Sequence, residues 1–207
     1  MAVSYIVAGI PTVYRGIRYR SRLEARWAAF FDLCGWTFSY EPVDLGRWSP
    51  DFALQGSDGT ILVEVKPIWL PDDDTLMKMN AAARESGFVG ELLLLGMGPF
   101  NEPLPYMTYE SPERLGWLQE TSYDGGPGDT TVGKACMPTE PYFGVAPFAW
   151  YADAPTQIDF CHDNGSFHGR MTGHYDGGSW GSPRSPDVKT AAELWAEASN
   201  TVQWHRK

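Results

Sequence analysis

Apolar and polar positions fall into a helical rhythm at residues 21–34. Leu23, Trp27, Phe30 and Phe31 recur at intervals of three and four, which lines one face of a helix. Ser21 followed by Glu24 is the pairing of a capping box, and Gly35 after Cys34 suits the left-handed position that closes a helix. Residues 1–20 read as an irregular or strand-like lead-in, broken at Pro11 and Gly16. After the helix the period changes to two. Residues 36–40 alternate aromatic with polar and predict a first strand ending at Glu41-Pro42. A second short apolar segment follows Asp51. In a third, Ile61, Val63 and Val65 alternate with Leu62, Glu64 and Lys66. Side chains two apart on a strand share a face, so Glu64 and Lys66 point one way while the Ile and Val positions face a core. Gly56, Asp58 and Gly59 supply the turn of a hairpin that brings Asp51 alongside Glu64.

A second helix is predicted to open at Pro71 with Asp72, Asp73 and Asp74 in its first turn, and to run through Met77 and Met79 to Ser86, where Gly87 stops it. Residues 91–96 form an apolar run bounded by glycines, the pattern of a strand buried on both faces. The order is helix, three strands, helix, strand. A strand–helix–strand crossover makes the last pairing parallel, so the expected class is α/β, a mixed sheet flanked by helices. Residues 98–186 are rich in Pro, Gly, Asp and Tyr, with loops expected at 124–129 and 177–183. Strands of an appended sheet are predicted at 142–151, 156–161 and 166–171, the last two joined through 162–165. A terminal helix is capped by Ser185 with Pro186 at its first position, and Ala192, Leu194, Trp195, Ala198 and Val202 give it an apolar face. The expected organisation is a core over 1–97 and a β- and loop-rich elaboration with a terminal helix over 98–207.

With 207 residues the chain can bury a sizeable core, and its nine Trp, ten Tyr and ten Phe exclude general disorder. Cys34, Cys136 and Cys161 are an odd, scattered set, which argues for reduced thiols and a cytoplasmic setting rather than a disulfide framework. No export signal or membrane span is read from the first residues. The net charge of −10 opposes a nucleic-acid partner in bulk. Distribution qualifies this, because Arg15, Arg18, Arg20, Arg22 and Arg26 hold five of the sixteen basic residues in one short run. The plain alternative is a solvated approach to the helix.

Asp51, Glu64 and Lys66 carry the candidate chemistry. A phosphodiester resists hydrolysis because its charge repels nucleophiles and its leaving alkoxide is poor. A Mg²⁺ held by carboxylates polarises the phosphoryl oxygen and acidifies a bound water. Asp51 and Glu64 are the candidate ligands, with the Val65 carbonyl as a third. Lys66 is the candidate to hold the water or neutralise charge on the phosphate. Residue by residue there is a structural alternative: Asp51 after Pro50 is ordinary turn chemistry, and Glu64 with Lys66 is an exposed ion pair.

Pro50-Asp51, then Glu64-Val65-Lys66 thirteen residues on, preceded by a helix with Glu24, resembles the PD-(D/E)XK nuclease superfamily. The resemblance covers residues 14–97 and is closest to small phage- and plasmid-borne members. It implies a restriction-endonuclease-like core in which the helix, three strands, helix and strand read above form the shared fold. It further implies a nuclease that hydrolyses DNA with Mg²⁺ or Mn²⁺. Asp51 and Glu64 would bind the metal, Lys66 would be the catalytic lysine, and Glu24 would match an acidic residue that some members place near the metal. The capping box already accounts for Glu24 in purely structural terms, and Glu41 is a weaker candidate. Arg15, Arg18, Arg20 and Arg22 are the expected phosphate contacts. Cutting both strands often requires a dimer, so a second copy of the chain stands beside DNA as a partner.

Cys161, His162, His168 and His174 are spaced within reach of a zinc ion, but they lack the Cys-x-x-Cys pairing of structural zinc sites. Trp180, Trp195 and Trp204 fit core or lid packing better than base stacking. Two rivals to a nuclease remain. One is a silent nuclease-fold module that binds DNA or protein, and the other is an acidic inhibitor or interaction protein.

Overall fold

A computed structural model of the protein describes residues 9–55, 59–71, 73–100, 113–119, 143–148, 162–163, 166–167 and 191–203. The lead-in is a hairpin, β1 (Thr12–Tyr14) and β2 (Ile17–Tyr19), antiparallel with Tyr14 opposite Ile17. Its two-residue turn places Arg15 at φ 46° and Gly16 at φ 81°, the left-handed pair that lets a tight hairpin follow the strand twist. The sequence hides this turn, because arginine stands where Asn or Asp would announce it.

Helix α1 (Arg22–Leu33) begins at the predicted cap, with the Ser21 hydroxyl accepting from the Glu24 amide at 3.1 Å. It ends with Gly35 at φ 73°, where the Gly35 amide donates to the Asp32 carbonyl and the Trp36 amide to the Phe31 carbonyl. That double closure is a Schellman motif, and it takes up Trp36. The first strand of the main sheet is therefore shorter than 36–40: β3 is Phe38–Tyr40. The predicted hairpin follows as β4 (Phe52–Gln55) and β5 (Thr60–Val65). Helix α2 (Asp73–Ser86) and the left-handed Gly87 behind it stand where the sequence put them.

Strand β6 (Glu91–Phe100) continues beyond Gly96. The Met97 amide bonds to the Ile68 carbonyl, and on its other edge β6 pairs with β7 (Glu113–Gln119), for which the sequence predicts no element. β8 (Phe143–Phe148) falls within the strand expected at 142–151. The sheet order is β3-β4-β5-β6-β7-β8. Among the described strands only the β5–β6 pairing is parallel, as a crossover through α2 requires. β9 (His162–Asp163) and β10 (Ser166–Phe167) form a separate small hairpin, so His162 and Asp163 lie in a strand rather than in the joining turn. The strand expected at 156–161 and the helix start at Ser185-Pro186 lie outside the described residues.

Hydrophobic burial makes three layers. Ile61, Val63, Val65, Leu93 and Leu95 on one sheet face pack against Trp27, Phe30 and Phe31 of α1 and against α3 (Ala191–Thr201). Leu62, Leu92 and Leu94 on the other face pack with Leu76, Met79, Ala82 and Ala83 of α2. β5 is thus covered on both sides, which removes the solvated face that its alternation suggests. α3 buries Ala191, Leu194 and Ala198 but exposes Ala192, one position off the predicted stripe. Its Trp195 ring packs 4.5 Å from that of Trp27, whose indole N–H reaches the Gly96 carbonyl at 3.0 Å. No helix among the described residues is long and apolar enough to cross a membrane.

Candidate active site

The β4–β5 register ends with Phe52 opposite Val63, so one step further Asp51 stands opposite Glu64. The Val65 amide donates to Asp51 Oδ2 at 2.7 Å and fixes that carboxylate at the strand end. Glu64 lies on the same sheet face as Leu62, and its Oε1 is 2.5 Å from the Lys66 ammonium. The expectation that Glu64 and Lys66 share a side is met. The exposed-pair alternative is not, because Glu64 is only 4% exposed and Asp51 only 3%. On the other oxygen, Oε2, Glu64 accepts from the Trp48 indole N–H at 2.6 Å.

Arg20 reaches in from the end of β2. Its Nη2 pairs with Asp51 Oδ1, and its Nε lies 3.1 Å from Glu41 Oε1 and 3.9 Å from Glu24 Oε2. Glu24 completes only half of a capping box. Ser21 caps the helix, but the Glu24 carboxylate accepts from the Tyr40 hydroxyl at 2.6 Å and from the Arg20 amide at 3.2 Å. A side chain explained by its cap position is therefore turned toward the site.

These groups surround a cleft of about 380 Å³. Buried carboxylates (Asp51, Glu64, Glu24) form its floor, and cationic side chains (Arg20, Arg47, Lys66, Lys78) stand around it. Burial pushes the Asp51 carboxyl up to about 7, and the neighbouring Glu64 adds to the rise. The Val65 amide and Arg20 pull the other way without cancelling it. Burial opposes the charge on Arg20 as well, but Asp51 and Glu24 outweigh it and hold the guanidinium protonated beyond its usual range. Tyr40 is raised by burial and by its bond to Glu24, so it stays a donor.

Of the four arginines singled out in the sequence, Arg20 lines the cleft and the other three do not. Arg15 pairs with Asp32 at 3.2 Å, near the far end of α1. Arg18 is exposed opposite Val13 on the hairpin. Arg22 is half-buried in the first turn of α1, and its charge adds to the burial that lowers the pKa of Arg26. Arg47 and Lys78 also line the cleft, and nothing in their sequence setting, one in a turn and the other on α2, marks them.

Among the described residues no group of three His, Cys, Asp or Glu side chains could hold a metal ion by itself. Cys161, His168 and His174 lie outside the described residues, so the zinc expectation rests where the sequence left it. A magnesium ion takes one or two carboxylates and keeps water or substrate oxygens in its other positions. Two buried, mutually repelling hard-oxygen donors, with the Val65 main chain beside them, suit that demand. Compared with protein-family models, with the curated proteins and with the solved structures, the chain matches none.

Proposed function

We propose that the protein is a Mg²⁺- or Mn²⁺-dependent nuclease that hydrolyses phosphodiester bonds in DNA, built on a core of the PD-(D/E)XK type. One observation carries the reading: Asp51 and Glu64, buried and repelling each other, open into a cleft whose surround is cationic. A ligand that fits both levels is a cation bridging to an anion, as in a metal-bound phosphodiester. The element order α1, β3, β4, β5, α2, β6, with the one parallel pairing between β5 and β6, supports the restriction-endonuclease-like assignment.

Asp51, Glu64 and the Val65 carbonyl would hold the metal, which would supply Lewis acidity and an acidified water. Lys66, half-exposed in the cleft, donates to the attacking water or to charge gathering on the phosphate. Arg20, Arg47 and Lys78 orient the phosphodiester and compensate locally for a chain of net charge −10.

A second reading is favoured by one specific feature. Both carboxylates already carry cationic partners, Arg20 on Asp51 and Lys66 on Glu64. A silent nuclease-fold module that binds DNA or protein would keep those pairs. A cleavage panel decides between them: linear, circular, single-stranded and four-way-junction DNA with Mg²⁺ and with Mn²⁺. The nuclease reading expects metal-dependent cutting that is lost in folded Asp51→Ala and Lys66→Ala. Absence of cutting on every substrate, with DNA affinity retained, selects the silent module.

A further inference from the structure

We propose that Trp48 is a positioning residue for Glu64, holding one carboxylate oxygen inside the protein so that the other is presented to the cleft. The inference rests on the metal-site reading above.

Trp48 is 2% exposed, belongs to the α2-side core and also lines the cleft. It donates to Glu64 Oε2 at 2.6 Å, whereas Lys66 holds Oε1. The two oxygens are thereby made inequivalent, Oε2 held by a buried indole and Oε1 by a half-exposed ammonium. A Glu side chain that is free to rotate would deliver either oxygen and lose orientational freedom on binding a cation; a clamped one has lost it beforehand.

The loop that brings Trp48 into place is itself braced. Asp44 Oδ1 accepts from the Gly46 amide at 2.9 Å and from the Ser49 hydroxyl at 3.1 Å, which brackets the tryptophan on both sides. The Leu45 amide bonds to the Trp48 carbonyl at 2.9 Å, and Gly46 takes φ 79° in the turn. A tryptophan needed only for packing could have satisfied its N–H on a main-chain carbonyl, as Trp27 does on Gly96.

The test is Trp48→Phe, which keeps an aromatic ring and removes the donor, compared with Glu64→Gln and the unaltered chain. Mn²⁺ affinity is measured by calorimetry without DNA, alongside melting temperature and kcat and KM for DNA. The expected result is a loss of Mn²⁺ affinity of about ten- to a hundred-fold, the range for residues that orient a metal ligand, with kcat falling more than KM changes. Unchanged Mn²⁺ affinity in Trp48→Phe, while Glu64→Gln loses it, overturns the positioning role and leaves the metal site standing. No Mn²⁺ binding by the unaltered chain overturns both. Should Trp48→Phe not fold, the indole N–H spectrum of the unaltered chain decides. One strongly hydrogen-bonded signal must shift with Mg²⁺ and saturate at the calorimetric Kd; if none moves, the role is refuted.

Discussion

The Lys66 ammonium, one residue past the end of β5, lies 2.5 Å from Glu64 Oε1. This contact makes Lys66 a counter-charge for a buried carboxylate; the nuclease proposed above would also use it as a donor to substrate, and the two roles separate on substitution. Lys66→Ala is expected to lower turnover by about a hundred- to a thousand-fold, as the loss of one preorganised donor does elsewhere. Mn²⁺ affinity should hold or rise, because a competitor for Glu64 has gone. Calorimetry and cleavage rates on one preparation check this; loss of both together would contradict it.

Asp51 sets the dependence on pH. Its carboxyl titrates near 7 in the folded chain against an ordinary 3.8, so between those values the folded state holds a proton that the unfolded chain has released. The stability owed to this group is therefore full below about pH 4 and lost as pH rises through about 7. Metal-free melting temperature should fall across that window. Asp51→Asn should flatten the fall and be the more stable form at pH 8. Mn²⁺ affinity should climb to about pH 7 and level off, with a proton released on binding below it.

Lys78 and Arg18 test where the phosphate sits. Lys78 lines the cleft, whereas Arg18, exposed opposite Val13 on the hairpin, does not. Lys78→Ala should weaken DNA binding and reduce the magnitude of the log–log salt slope by about one, the effect of a single lost phosphate contact. Arg18→Ala should leave the slope unchanged. Fluorescence anisotropy at a series of salt concentrations reads both, and equal slopes for the two variants would move the DNA path off the cleft.

Gly96 holds the lysine strand in place from behind. A Cβ there would lie 2.6 Å from the Ile68 carbonyl, two residues from Lys66, whose own amide bonds to the Leu95 carbonyl at 2.9 Å. Gly96→Ala should cost about 1–3 kcal/mol of stability, as overpacking usually does, and should lower turnover further than the stability loss explains. Denaturant unfolding and cleavage rates measure the two parts.

What the sequence made legible follows from which interactions are local. Ser21 and Gly35 bound α1 because cap and closure lie within a few residues of the helix they end. The alternation of Ile61, Val63 and Val65 placed Glu64 with Lys66, and hairpin pairing then placed Asp51. Contacts across longer separations were hidden. Arg20 meets Asp51 thirty-one residues away and Trp48 meets Glu64 sixteen away, and no periodicity announces either pairing. Glu24 had two readings, cap partner and acid near the site, and only the long-range bonds to Tyr40 and Arg20 show its carboxylate turned toward the cleft. β7 was missed because its alternation of Leu115 and Trp117 with Arg114 and Gly116 is short and ends at Leu118 and Gln119, with no apolar run to mark it.

Trp27 touches three things at once: the Gly96 carbonyl, the aromatic cluster of α1 and the Trp195 ring. Gly98 tightens the arrangement, since a Cβ there would fall 2.5 Å from Trp195 Nε1. The last helix is thus bolted to the strand that backs the lysine. Removing α3 is therefore expected to loosen the strand behind Lys66 from the far side of the sheet, without touching one charged group of the cleft.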